Sequence, residues 1–159
     1  MPEPFKNLFN EKIICHMAEF LSQACPVFDK TAFIATATDH LDDLELKERS
    51  TQITNALRTY LPDNYQQAAT ILRAILAPHM ESDEGISGWA IMPMANYVGL
   101  YGGENFDLSM DLLKDMTKLF TAEFAIRFFL IAEPKRSIAL LKTWLDDPSH
   151  HVRRLISEG

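Results

Sequence analysis

A chain of 159 residues, 47% hydrophobic and 23% charged, has the length and composition of one globular domain rather than of a disordered or fibrous segment. A formal charge of -7 at pH 7 excludes indiscriminate nucleic-acid binding by the whole surface, because phosphate contacts need clustered Lys and Arg. Cys15 and Cys25 match neither a zinc spacing nor a secreted disulfide framework, so a reduced, cytoplasmic setting is expected, with no export signal and no membrane span.

The apolar residues Phe9, Ile13, Met17, Phe20, Leu21 and Ala24 recur at three- and four-residue steps, predicting an amphipathic helix over about 9–25 that Pro26 ends. Asp29 can cap a shorter helix to about His40; another is expected over 44–61, closed by Pro62, and a fourth over 65–77, ended by Pro78. "HMESDEGISG" reads as a loop. "GWAIMPMANYVGLYGG" reads as a helix bent at Pro93, where a backbone donor is missing. Helices over 106–120, 122–132, 134–145 and 149–158 complete an all-α chain, since no stretch sustains period-two alternation.

Charge is unevenly spread along this series. From Lys114 onward eight Lys and Arg stand against six Asp and Glu, whereas the preceding residues hold seven against sixteen. Any anionic partner is therefore expected at the C-terminal third.

The late helices repeat. Setting "TAEFAIRFFLI" over "PSHHVRRLISE" at an offset of 27 residues aligns Ala125 with Val152, Arg127 with Arg154, Phe128 with Leu155 and Phe129 with Ile156. Two-helix units of this size cannot each close a core, so they stack into a curved solenoid of antiparallel pairs. Asp147, Pro148, Val152 and Arg153 are similar to the HEAT-repeat pattern, in which the arginine laces neighbouring loops. That structural role and an anion-binding role both remain open for Arg153 and Arg154.

Several kinds of chemistry find no support. The five histidines lack ligand spacing, and the adjacent His150 and His151 would point about 100° apart on a helix, so no metal site is expected. "YGGENF" lacks the rest of a phosphate loop, and no Ser or Cys has an adjacent His to activate it. Trp89, Trp144 and the phenylalanines at 120, 124, 128 and 129 are most simply core. Glu123 and Glu158 stand in apolar surroundings, where a solvated glutamate is not the default. Each also has a structural account: Glu123 as a helix N-terminal charge, and Glu158 as the partner of Arg154 one turn earlier.

The segments "PFKNLFN", "GWAIMPMANYVG", "LFTAEFAIRFFL" and "WLDDPSHHVRRLISEG" resemble the AlkC-type bacterial DNA alkylation repair glycosylases, relatives of AlkD, and the likeness runs along the whole chain. The resemblance implies a HEAT-like solenoid that removes cationic N-alkylated bases, of the 3-methyladenine type, from duplex DNA without metal or cofactor. It implies that Glu123 of "EFAIR" and Glu158 of "SEG" line the concave site. Departure of a cationic base leaves an oxocarbenium-like sugar that needs nearby negative charge and a positioned water, and two carboxylates can supply both. Arg127, Arg153 and Arg154, with His151 beside them, would hold the flanking phosphates.

Two departures from the family pattern stand out. Family members continue past "SEG" into a basic stretch and further repeats, so residues 1–159 are expected to form a single domain that is the N-terminal part of a larger solenoid. Phe128 stands where the family has proline. The rival reading is a non-catalytic helical-repeat scaffold that binds protein or DNA.

Overall fold

The computed structural model describes residues 8–76, 85–86, 88–120, 123–146 and 152–153, with backbone alone at 123, 124 and 146. Eight α-helices are formed among these residues: α1 (Glu11–Ala24), α2 (Lys30–Thr38), α3 (Leu46–Tyr60), α4 (Tyr65–Ala74), α5 (Ile91–Tyr101), α6 (Phe106–Thr117), α7 (Glu123–Ala132) and α8 (Pro134–Thr143). The one extended pairing among them is an isolated bridge between Leu76 and Ile86.

Local chemistry sets most helix starts. Asn10, Asp29 and Asn64 each accept a hydrogen bond from the backbone N–H three residues on, satisfying a donor that the first helical turn leaves without a partner. Glu45 and Glu48 close a reciprocal capping box on α3. Pro134 occupies the first position of α8, where its missing N–H costs nothing. Pro93 differs from the sequence expectation of a bent helix. A 3-10 turn over Gly88–Ala90 leads into α5, so Pro93 is the third residue of the helix, where no intrahelical partner for an N–H exists.

The helices stack in two layers. α2, α3, α5 and α7 follow one another in the first, while α1, α4 and α6 form the second and α8 joins them beside α6. Each even helix from α6 onward also packs on the odd helix preceding it in sequence. This is a helical-repeat stack, as the two-helix periodicity requires. The shared seam is apolar: Ile53 and Leu57 of α3, Met94 and Val98 of α5, and Ile126 and Phe129 of α7 are buried against Leu72 of α4 and Met110 and Leu113 of α6. Ala125 and Val152, aligned by the 27-residue offset, are both buried, whereas their successors differ: Ile126 is buried and Arg153 exposed. Trp144 lies in the core as expected. Trp89 and Phe128, expected there too, are 37% and 42% exposed.

Side chains lace the helices through backbone carbonyls. Arg49 of α3 is only 3% exposed and donates to the carbonyls of Leu44 (3.0 Å) and Phe9 (3.3 Å). Gln52 donates to the carbonyls of Ala37 and Asp39 at the end of α2, both at 2.8 Å. Thr54 reaches the Pro93 carbonyl at 2.9 Å, tying α3 to α5.

Candidate nucleic-acid interface

The outward face of the first layer is built from three stripes set by helical spacing. On α3, Lys47, Thr51 and Asn55 are exposed at four-residue steps, followed by Arg58 one turn later. On α5 the half-buried Met92 and Asn96 lead to Leu100, which is 51% exposed. On α7, Arg127 and Phe128 are exposed with Ile131, which is 82% exposed. Between these stripes lies a groove of about 390 Å³, lined by Lys47, Thr51, Thr54, Met92, Asn96, Leu100 and Phe128. Phe128 can lie on α5 because residue 99 is glycine: a Cβ there would fall 2.6 Å from Phe128 Cδ2.

The expected site residues fall as follows. Glu123 is the first residue of α7, and Arg127 lies one turn further along the same helix. Arg127 and Arg153 are both exposed. Glu158, Arg154 and His151 lie outside the described residues. The sequence reading missed Lys47, Asn96 and Leu100 altogether and placed Phe128 in the core. The four-residue spacing of Met92, Asn96 and Leu100 was the available signal for an open face on α5.

The second layer uses its charges differently. Arg73 of α4 donates to Asp111 (2.9 Å) and Asp115 (3.1 Å) of α6, and Arg136 of α8 reaches Asp107 at 3.2 Å while its guanidinium covers the Phe106 ring at 4.3 Å. Lacing by arginine, one of the two roles left open for Arg153 and Arg154, is thus carried out by Arg49, Arg73 and Arg136.

At the junction of the α3 and α5 ends with the α4 and α6 starts, three tyrosines meet. Tyr65 hydrogen-bonds Ser109 at 2.7 Å, and Ser109 donates to the Gly102 carbonyl at 2.9 Å; a side chain at Gly102 would collide with both hydroxyls. Burial pushes the Tyr65 phenol up to about 12, with the Ser109 bond acting against it. Tyr97 is fully buried, its hydroxyl has no hydrogen-bond partner among the described residues, and burial raises its pKa against the opposing pull of nearby Arg58. Arg58 in turn covers the Tyr101 ring at 4.7 Å. This cluster is structural.

Among the described residues no group of three or more His, Cys, Asp and Glu could hold a metal ion, and no helix is long and apolar enough to cross a membrane. No family model matches the chain. The chain is 36% identical over 155 residues to YhaZ of Bacillus subtilis (strain 168), an uncharacterised protein, covering 97% of this chain and 42% of YhaZ. Its fold matches the solved alkylpurine DNA glycosylase AlkC of Pseudomonas fluorescens, bound to DNA containing an abasic site analog, with a TM-score of 0.86 and 35% identity over 98% of this chain and 42% of AlkC. The resemblance to the AlkC-type glycosylases read in the sequence therefore holds over nearly the whole chain, which spans about two fifths of the length of the relatives it matches.

Proposed function

We propose that the protein acts in repair of alkylated DNA in the cytoplasm, hydrolysing the N-glycosidic bond of cationic N-alkylated bases of the 3-methyladenine type, as one part of a DNA-gripping helical solenoid. The observation that carries this reading is the match to AlkC, which extends along 98% of the chain at 35% identity.

Glu123 and Glu158 are the carboxylates of the reaction. A carboxylate in the first turn of a helix is favoured in its ionised form, the form that stabilises a developing sugar cation. One carboxylate faces that cation and the other orients the attacking water, whose proton it accepts as the bond to C1′ forms and the base departs with the bonding electrons. Arg127, Arg153, Arg154 and His151 offset the repulsion between these carboxylates and the phosphates.

The test is release of methylated base from duplex DNA by the 159-residue chain. Glu123→Gln and Glu158→Gln are each expected to slow release about a hundredfold, roughly 3 kcal/mol, while leaving the fold intact. Release at the spontaneous rate by the folded wild-type chain would favour a second reading, a non-catalytic scaffold. A net charge of -7 and the use of Arg49, Arg73 and Arg136 as structural laces speak for that reading.

A further inference from the structure

Ala125, Ile126 and Phe129 of α7 are buried in the stack. Apolar contacts of this kind are non-directional, and they fix how deep a helix lies better than how far along its neighbour it sits. Phe128 adds a contact of another kind. Its ring lies against Gly99 of α5, where an added Cβ would meet Cδ2 at 2.6 Å, Cε2 at 3.1 Å and Cγ at 3.3 Å. The shortest of these is about 1 Å inside ordinary carbon–carbon contact. Although Phe128 is 42% exposed, the crowded atoms include Cγ, next to the stem, so the ring cannot make room by moving its tip alone. Asn96 and Leu100 of α5 line the same groove as Phe128, which makes Gly99 a gap between side chains rather than part of a smooth surface. Glu123 is the first residue of α7, five residues before Phe128 and about 7.5 Å from it along the axis at the rise of an α-helix. The helix is unbroken between them, so a displacement at the ring is carried to the helix start.

We propose that Phe128, seated on Gly99, is a positioning residue that sets the register of α7 on α5 and thereby places Glu123 for cleavage of the glycosidic bond. The inference rests on the glycosylase reading above and adds to it a residue that acts through the helix bearing the carboxylate. Proline at 128 would remove both the ring and a backbone N–H of α7, whereas phenylalanine keeps the helix regular and supplies the lock. The leverage is large because a reacting group misplaced by about 1 Å loses on the order of a hundredfold in rate.

The test measures rate and binding separately in the whole chain, with duplex DNA methylated by dimethyl sulfate as the probe. Gly99→Ala is expected to lower the single-turnover rate of base release at saturating protein by about tenfold or more, with the half-saturating protein concentration within about twofold and the chain still folded in a thermal melt. Phe128→Ala should slow release on a similar scale, and Phe128→Tyr, which keeps the ring, should retain the rate. In the double variant the added methyl group has no ring to meet, so it should be no slower than Phe128→Ala alone. Crystal structures of the wild type and Gly99→Ala should differ by about 1 Å at the Glu123 Cα. A wild-type rate in Gly99→Ala, a loss that adds in full to that of Phe128→Ala, or a Glu123 Cα that stays in place overturns the proposal. No release by the wild-type chain fails the glycosylase reading; a shifted Glu123 Cα then upholds the register without the reaction, and an unmoved one overturns both.

Discussion

The two layers of the stack are made from similar helices and do different work with their polar groups. Two arginines of the second layer are bound to neighbouring helices: Arg73 of α4 bridges two aspartates of α6, and Arg136 of α8 joins Asp107 while covering Phe106. In the first layer Arg49, Gln52 and Thr54 of α3 tie helices together, and the groove between α3, α5 and α7 is lined by Lys47, Asn96, Leu100 and Phe128. The contrast teaches that net charge is a poor guide to where such a chain meets an anion. What matters is where on the stack each cation is held.

The sharpest way to break this comparison is to remove a cation held between helices. Arg49→Ala leaves the Phe9 and Leu44 carbonyls without their partner in a buried place, and should lower stability by about 2–3 kcal/mol in urea unfolding. DNA affinity of the folded fraction should stay unchanged. Arg73→Ala removes a partly exposed double contact and should cost about 1 kcal/mol, less at high salt.

A smaller effect sharpens the picture at the tyrosine cluster between the layers. Tyr65 and Tyr97 have folded pKa values raised above the ordinary phenol value of 10, Tyr65 to about 12. The unfolded chain therefore loses these protons first as pH rises. Their contribution is fully present below pH 10 and is lost as pH climbs toward about 12, so melting temperatures should fall across that window. Tyr65→Phe should make the fall shallower, though the mutant starts lower for want of the Ser109 bond.

Much of this architecture was legible in the sequence because helix ends are set locally. Asp29, Pro62 and Pro134 mark boundaries by their own hydrogen-bonding chemistry, and the two-helix period that begins at α7 announced stacking. The burial of α7 was harder to read. "EFAIRFFLIA" has one charge after its first residue and apolar groups all round, so sequence alone does not say that Ile126 and Phe129 face in while Phe128 faces out. Lacing was invisible for another reason: Arg49 meets the carbonyl of Phe9, 40 residues earlier, and no local pattern encodes that meeting. Of the candidate site, Glu123 stands at a helix start and Arg127 is exposed, whereas Lys47, Asn96 and Leu100 come together only through the stacking of α3 on α5.

The division of labour between the layers is tested most directly by measuring DNA affinity as a function of salt, together with thermal melts, for two double variants. Lys47→Ala with Arg127→Ala removes cations of the first layer's outward face, and Arg73→Ala with Arg136→Ala removes laces of the second. The first pair is expected to weaken binding and flatten the salt slope by about two, near 0.9 per lost phosphate contact. The second pair is expected to lower the melting temperature and leave the slope alone. The opposite pattern, with the slope moved by Arg73 and Arg136 and untouched by Lys47 and Arg127, would contradict the division of labour.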